Sequence, residues 1–139
     1  MIALDTNFII HFLVKSQKEH LRASQWIFRN ESPLCTTDVN LAEVLRLLTH
    51  PRVFPSPLGI EEAVDLLHQF CGEFEIKILE EPEQWWLELK ELFKLNPTLK
   101  GNEVFDAQIA ICLRYHGVKE LVTLDTDFSK YPFLKIIKI

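Results

Sequence analysis

The sequence predicts a three-layer α/β domain with a mainly parallel sheet. Short apolar runs that suit buried strands alternate along the chain with longer segments whose apolar residues recur every three or four positions, as in amphipathic helices. The chain has 139 residues, of which 47% are hydrophobic and 25% charged, and this is enough for one well-buried core. We therefore expect residues 1–139 to form a single domain.

Five short apolar runs are expected to form the strands. They lie at residues 2–4, 34–36, 74–78, 121–124 and 134–139. The first run is apolar on both faces, which suits the middle of a parallel sheet covered by helices on each side. In the third run, Phe74, Ile76 and Ile78 alternate with charged residues, and this alternation is typical of a half-covered strand at a sheet edge.

Along the chain, helices are expected both before and after the second strand. Residues 8–28 should hold one or two short helices, because their apolar residues return at helical rather than alternating spacing. Thr37 or Asp38 can cap the helix that follows the second strand, and Glu43 lies in its first turns. The proline-rich loop 51–57 leads into another helix, which is expected to open at the last two residues of the loop.

Turn residues delimit the later helices. The helix after the proline-rich loop is expected to end near Gly72, and a long helix should start around Pro82 and continue to Leu95. Asn102 can cap a helix over 103–116. Gly117 then stands where a left-handed residue ends a helix.

Four carboxylates are expected to meet at one edge of the sheet. Asp5 and Asp125 each follow a strand, and the carboxyl ends of parallel strands share the edge at which α/β proteins bind ligands. Glu43 and Asp106 lie in the early turns of helices that start from this edge. Taken alone, an Asp after a strand is often a helix cap or turn residue, and a Glu on a helix is usually solvated. Asp106 is harder to explain in this way, because its neighbours are apolar.

A cluster of unpaired carboxylates predicts a cation. Carboxylates this close repel one another and become protonated unless positive charge fills the space between them. Ligands that are all oxygen atoms suit Mg²⁺ or Mn²⁺, with water completing the coordination shell. The chemistry that needs such a site is phosphoryl transfer, in which one or two metal ions activate water and neutralise charge on the phosphate.

Composition and missing motifs exclude several other functions. The net charge of −5 and the sequence pI of about 5.5 count against a broad phosphate-binding surface, so any phosphate contacts should come from a local cluster, for which Arg46, Arg52 and Lys15 are candidates. The sequence has no glycine-rich phosphate-binding motif and no H-E-x-x-H, which argues against a nucleotide cofactor and against zinc. It also lacks a signal peptide and an apolar run long enough for a membrane span, so we expect a cytoplasmic protein.

Four segments give the chain a resemblance to a known family. They are I-A-L-D-T-N at 2–7, N-L-A-E-V-L-R-L-L-T-H-P-R-V-F at 40–54, F-D-A-Q-I-A at 105–110 and V-T-L-D-T-D-F at 122–128. Together, and in this order, they resemble a PIN-domain ribonuclease over essentially the whole chain. More narrowly, the chain is similar to the VapC-type toxins of bacterial and archaeal toxin–antitoxin pairs.

This resemblance implies a fold, an activity and partners. It implies a five-stranded parallel sheet between helices, Mg²⁺- or Mn²⁺-dependent cleavage of RNA, a homodimer, and a cognate VapB-type antitoxin that blocks the site. The family's four acids fall on Asp5, Glu43, Asp106 and Asp125. Further roles would fall on Thr6, Asn7 and Thr123 as supporting polar residues and on Asp127 as an additional ligand.

A different class of function stays open from the sequence. The chain could be a non-catalytic module that keeps the fold and uses its acidic cleft only to hold a basic partner. A phosphorelay receiver also gathers acids at a sheet edge, but it needs a lysine near the end of its last strands, and Lys130 and Lys138 are poorly placed for that.

Trp85 and Trp86 predict an interface. Consecutive helical residues point about 100° apart, so one ring should pack inside while the other lies exposed at the edge of the apolar face. Exposed tryptophan is favoured at protein interfaces, and we expect this segment to contribute to the dimer or, preferably, to an antitoxin groove.

Overall fold

A computed structural model describes residues 1–125 and 127–139, so Thr126 of the fourth motif lies outside the described residues. The strands are β1 (Ile2–Leu4), β2 (Leu34–Thr37), β3 (Lys77–Leu79), β4 (Glu120–Val122) and β5 (Lys135–Ile137). The α-helices are α1 (Thr6–Leu13), α2 (His20–Arg29), α3 (Asp38–Leu48), α4 (Ile60–Glu73), α5 (Leu89–Leu95) and α6 (Glu103–Tyr115). Two 3₁₀ helices cover Trp85–Glu88 and Asp127–Lys130.

The strands form one parallel sheet in the order β3-β2-β1-β4-β5. β1 lies in the middle, where Ala3 pairs with Cys35 of β2 on one side and with Leu121 of β4 on the other. All four strand pairs within the described residues are parallel, so the carboxyl ends of the strands share one edge. The predicted α/β fold is confirmed, and β3 is the edge strand that its alternating pattern predicted.

Two apolar layers cover the two faces of the sheet. Ile2 and Leu4 point to one face and pack in a cluster with residues of α1, α2, α3 and α4. Ala3 points to the opposite face and packs with residues of α6 and α5. This alternation along β1 explains why the strand has no polar residue, because both of its faces are buried.

The start of α4 differs from the sequence-based expectation. The helix begins at Ile60 rather than at Ser56 or Pro57, because the Leu58 amide donates back to the Leu48 carbonyl oxygen and the chain turns only after that contact. At its other end the helix stops at Glu73, next to Gly72, as expected. The left-handed position is filled by Glu75, with φ of 50°, and β3 therefore starts only at residue 77.

The prediction of one long helix over residues 82–95 is wrong. The segment opens at Gln84, a left-handed residue with φ of 58°, and continues as the 3₁₀ helix before α5 begins. The expected contrast between the two tryptophans is confirmed: Trp85 is half-buried against the core beneath α6, whereas Trp86 is 56% exposed.

The last helix and the strand after it complete the sheet edge. α6 ends as expected near Gly117, which has φ of 71°. β4 ends at Val122, two residues earlier than expected, so that Thr123 and Asp125 lie in the turn beyond the strand. Among the described residues, no helix has the length and apolar character needed to cross a bilayer.

Candidate functional site

Asp5 occupies the centre of the sheet edge. It is 5% exposed and follows β1 directly, and its backbone amide donates to the Val122 carbonyl oxygen on the neighbouring strand. Its Oδ1 atom accepts a 2.8 Å hydrogen bond from the amide of Thr6, so Asp5 also caps α1. The structural role considered for Asp5 from the sequence therefore exists, alongside its position at the site.

Thr123 holds the second oxygen of the Asp5 carboxylate. Its hydroxyl donates a 2.6 Å hydrogen bond to Asp5 Oδ2 and accepts hydrogen bonds from the Asn7 side chain and from the amide of Asp125. The Asn7 side-chain oxygen accepts from the amide of Leu124. These contacts fix the turn after β4 against the start of α1.

Glu43 is joined to the same centre through Thr6. The Thr6 hydroxyl donates a 2.7 Å hydrogen bond to Glu43 Oε2. Thr6 in turn accepts a 3.0 Å hydrogen bond from the side-chain amide of Asn40, which also donates to Asp5 Oδ1 at 3.2 Å. One amide group therefore ties α3 to the end of β1.

Asn40 is the site residue that sequence reasoning missed. It is 1% exposed, and its side-chain oxygen accepts a 2.7 Å hydrogen bond from the hydroxyl of Thr37, the residue that caps α3. Asn40 stands three positions before Glu43, so the two residues share a face of α3. That spacing was the available signal, because a polar residue on the inward face of a helix needs buried partners.

All four predicted acids line one cavity of about 500 Å³. The cavity is bordered by Asp5, Thr6, Asn7, Ile10, His11, Gln17, Glu43, Leu47, Val53, Phe54, Asp106 and Asp125. Its wall contains no lysine or arginine among the described residues. Burial of the His11 imidazole lowers its pKa, so this ring does not supply the missing positive charge at neutral pH.

Two acids of this cavity, Asp5 and Asp106, are electrostatically strained. Burial, followed by the charges of Asp5, Glu43, Asp125 and Asp127, raises the pKa of Asp106 to about 7. Burial also raises the pKa of Asp5 to about 6, although the hydrogen bonds from Thr123 and Thr6 oppose this effect. Full ionisation at neutral pH is therefore costly without added positive charge.

Asp125 and Asp127 occupy different positions. Asp125 lines the cavity, and its Oδ1 atom also accepts a 3.0 Å hydrogen bond from the amide of Asp127, as a turn residue does. Asp127 is exposed and is not part of the cavity wall. The neighbouring Asp125 charge is the main cause that raises the pKa of Asp127.

The donor chemistry of the cavity fits a hard divalent cation. Carboxylate oxygens dominate its polar groups. The raised pKa values of Asp5 and Asp106 indicate that nearby protein groups supply too little positive charge to balance these carboxylates. Among the described residues, no group of three or more His, Cys, Asp or Glu side chains is arranged so that it could hold a metal ion as it stands. Binding would therefore require the carboxylates to draw together.

The three basic candidates for RNA contacts are dispersed. Arg46 lines a second cavity of about 600 Å³, which also includes Glu43 and Asp106. Arg52 is exposed on the loop whose next two residues, Val53 and Phe54, border the carboxylate cavity. Lys15 lies over separate apolar cavities between α1 and α4. Of these three candidates, only Arg46 lines a cavity that is also lined by two of the acids, Glu43 and Asp106.

Comparison with known proteins agrees with this architecture. The PIN domain family model matches residues 2–134. Ribonuclease VapC24 of Mycobacterium tuberculosis is 26% identical over 143 aligned positions, which cover 98% of this chain and 94% of that protein.

Two solved structures share the fold. VapC20 of M. tuberculosis, described as a Sarcin-Ricin loop cleaving toxin, has a TM-score of 0.71 at 17% identity and covers 93% of each chain. A DNA-bound VapBC from Salmonella typhimurium has a TM-score of 0.70 at 20% identity and covers 99% of this chain and 96% of that one. The resemblance first seen in four motifs is thereby confirmed, and this chain belongs to the PIN domain family.

Proposed function

We propose that this protein is a divalent-metal-dependent endoribonuclease that hydrolyses RNA phosphodiester bonds as the toxin of a type II toxin–antitoxin pair. The observation that carries the proposal is that Asp5, Glu43, Asp106 and Asp125 line one cavity whose described wall contains no lysine or arginine. Support also comes from VapC24, a relative named as a ribonuclease that aligns with nearly the whole chain.

The carboxylates are the groups that would hold Mg²⁺ or Mn²⁺. Asp5 and Asp106 are proposed as the principal ligands, Glu43 and Asp125 as ligands that act partly through water, and Asp127 as an additional ligand. When bound, such a cation lowers the pKa of a water molecule and neutralises charge on the scissile phosphate.

The hydrogen bonds around the cavity preorganise two of these acids. Asp5 has donors on both oxygens, from Thr6 and Asn40 on one and from Thr123 on the other. Glu43 Oε2 is fixed by the Thr6 hydroxyl. Because the rotamers of Asp5 and Glu43 are already held in the folded protein, these two side chains lose little entropy when a cation binds.

The proposed partners are RNA, a second copy of the chain and a VapB-type antitoxin. The VapBC of Salmonella typhimurium shares this fold. On the surface of this chain, large apolar side chains stand exposed on helices, with Leu21 at 65%, Phe28 at 68% and Trp86 at 56%. Exposed apolar groups of this size are typical of surfaces that a protein partner covers.

Purified protein tests the activity directly. A panel of RNAs incubated with Mg²⁺ should be cleaved internally, EDTA should stop cleavage, and Asp5→Asn should abolish it while the protein stays folded. Asp65→Asn, an exposed change on α4 outside the cavity, serves as the matched control and should cleave normally. A folded wild-type protein that leaves every RNA intact, yet binds a basic protein partner through the cavity, would instead support the non-catalytic binding module.

A further inference from the structure

The second cavity adjoins the carboxylate site and has a different character. It lies between α3 and the beginning of α6 and shares Glu43 and Asp106 with the carboxylate cavity. Its other polar and aromatic lining residues are Arg46, Phe105, Asn102 and Gln108. We call this cavity, defined by these six residues, the α3–α6 cleft.

Phe105 is an exposed aromatic ring beside an acidic site. It precedes Asp106 directly and is 52% exposed. By contrast, the apolar residues that follow in α6, from Ala107 to Leu113, are fully buried. An apolar ring in this position contributes little to the core. It does offer a flat surface for stacking within one residue of a proposed metal ligand.

The charge of the cavity decides what can bind there. Phosphates are repelled by the acids and by the net charge of −5, and the cleft lining contains one cationic side chain among the described residues, Arg46, so counterion release contributes little attraction. Stacking of a neutral base on an aromatic ring avoids this repulsion. Arg46 can neutralise one phosphate, and the amides of Asn102 and Gln108 each carry a donor and an acceptor that suit a base edge.

We propose that the α3–α6 cleft holds one unpaired nucleotide of the RNA substrate next to the scissile phosphate, with its base stacked on Phe105 and its phosphate paired with Arg46. This inference rests on the proposed ribonuclease function and assigns to Phe105 and Arg46 the positioning of the nucleotide beside the cleaved bond. A base inside a duplex cannot reach the ring, because it is already stacked and its edge is paired. A volume of about 600 Å³ accommodates a ligand of nucleotide size.

Fluorescence can report stacking on Phe105. We would place 2-aminopurine at successive positions of short unstructured RNAs and bind them to Asp5→Asn protein with Mg²⁺, so that the RNA stays intact. At one position the emission should change on binding. Adding Phe105→Ala should remove that change and weaken binding about 5- to 150-fold.

Two further variants isolate the effect. Tyr115→Ala is the matched control, because Tyr115 is also an exposed aromatic residue of α6, 65% exposed, and does not line the cleft. It should leave both signals unchanged. Arg46→Gln should make the log–log salt dependence of binding shallower by about 0.7, whereas Phe105→Ala should not alter the slope.

The outcomes separate this inference from the proposed function. If the wild-type protein cleaves RNA but Phe105→Ala matches Tyr115→Ala in KM and in fluorescence, the stacking inference is overturned and the ribonuclease assignment stands. Equal binding of duplex and unpaired RNA would also overturn it. So would a Phe105→Ala protein that changes only its molar mass in solution, because the cleft would then be an interface between copies of the chain.

Discussion

Thr123 donates a 2.6 Å hydrogen bond to Asp5 Oδ2, although 118 positions separate the two residues. The other oxygen of Asp5 accepts from Thr6 and Asn40. Hydrogen bonds to a carboxylate stabilise its charged form, yet burial outweighs them and the pKa of Asp5 is still raised to about 6. The balance between these two effects controls how much stabilising free energy the protein gains when a cation enters the cavity.

Thr123→Val should destabilise the protein by about 1.5–3 kcal/mol at neutral pH, because it removes a hydrogen bond to a buried charged group without changing the side-chain shape. The pKa of Asp5 should rise further, since the Thr123 hydroxyl is the main group that lowers it. Urea unfolding measures the loss, which should shrink below about pH 5, where Asp5 is protonated. Thr49→Val, whose hydroxyl bonds the carbonyl oxygen of Leu45, is the control for a threonine outside the site. An equal loss at both pH values would contradict this account.

The metal-free protein should lose stability as the pH rises from about 4 to about 7. The pKa values of Asp5 and Asp106 are raised from 3.8 to about 6 and about 7, so in this range the folded protein binds more protons than the unfolded chain. Thermal or urea unfolding in EDTA would reveal the slope, and Asp106→Asn should flatten it. The slope should also flatten with saturating Mn²⁺. A free energy of unfolding that is constant over this range would contradict the electrostatic strain inferred at the cavity.

Asp106→Asn should weaken Mn²⁺ binding at least about tenfold, a loss of about 1.4 kcal/mol or more. The residue lines the carboxylate cavity from α6, where a rigid helix presents it. Isothermal titration of Mn²⁺ measures the effect. Glu103→Gln removes a charge from the same helical turn but not from the cavity wall, so it should bind Mn²⁺ nearly as the wild type does. If Asp106→Asn binds Mn²⁺ with unchanged affinity, the assignment of Asp106 as a ligand is wrong.

RNA binding should depend only weakly on salt. If Arg46, Arg52 and Lys15 each contact one phosphate of a single strand, the log–log slope should be about −2. Fluorescence anisotropy of labelled RNA over a range of KCl concentrations gives this slope. A slope steeper than about −6 would mean that many more phosphates are contacted than these dispersed cations allow.

Replacing the two tryptophans should have different consequences. Trp85→Ala should destabilise the fold by about 2 kcal/mol, because its ring packs against the core, whereas Trp86→Ala should change stability by less than about 0.5 kcal/mol. Trp86→Ala should instead weaken self-association or antitoxin binding, by about 2 kcal/mol if Trp86 is a hot spot. Analytical ultracentrifugation and titration with the antitoxin distinguish these effects. If both variants only lose stability and neither weakens any association, the interface hypothesis is wrong.

The fold could be predicted from the sequence because hydrophobic period and strand–helix alternation are local signals. Residues 2–4 are apolar on both faces, and the structure places them in the centre of the sheet. The break in the helix expected over 82–95 had no such signal, since the sequence does not mark Gln84 as a left-handed residue. The late start of α4 likewise depends on a contact between Leu58 and Leu48, which only the tertiary structure creates.

The candidate site, too, could be predicted only in part from the sequence. The acids could be placed together because each follows a strand or lies in an early turn of a helix that starts from the same sheet edge, and all four line one cavity. Asn40 could not be identified with equal ease, because an amide in the first turn of a helix is also typical of local capping. Its importance arises from partners at Asp5, Thr6 and Thr37, two of which are more than thirty positions away along the chain.

The central position of β1 has a consequence for the order in which the molecule can assemble. Ile2–Leu4 leaves the ribosome before either neighbour exists, and its second partner, β4, begins only at Glu120. The long loop between β1 and β4 must close before these two strands can pair, so we expect their pairing to form late in folding. Asp5 therefore gains Thr123 and Asp125 beside it only after the chain has been synthesised as far as residue 125. For the toxin proposed here, a growing polypeptide would remain harmless until translation has passed these residues.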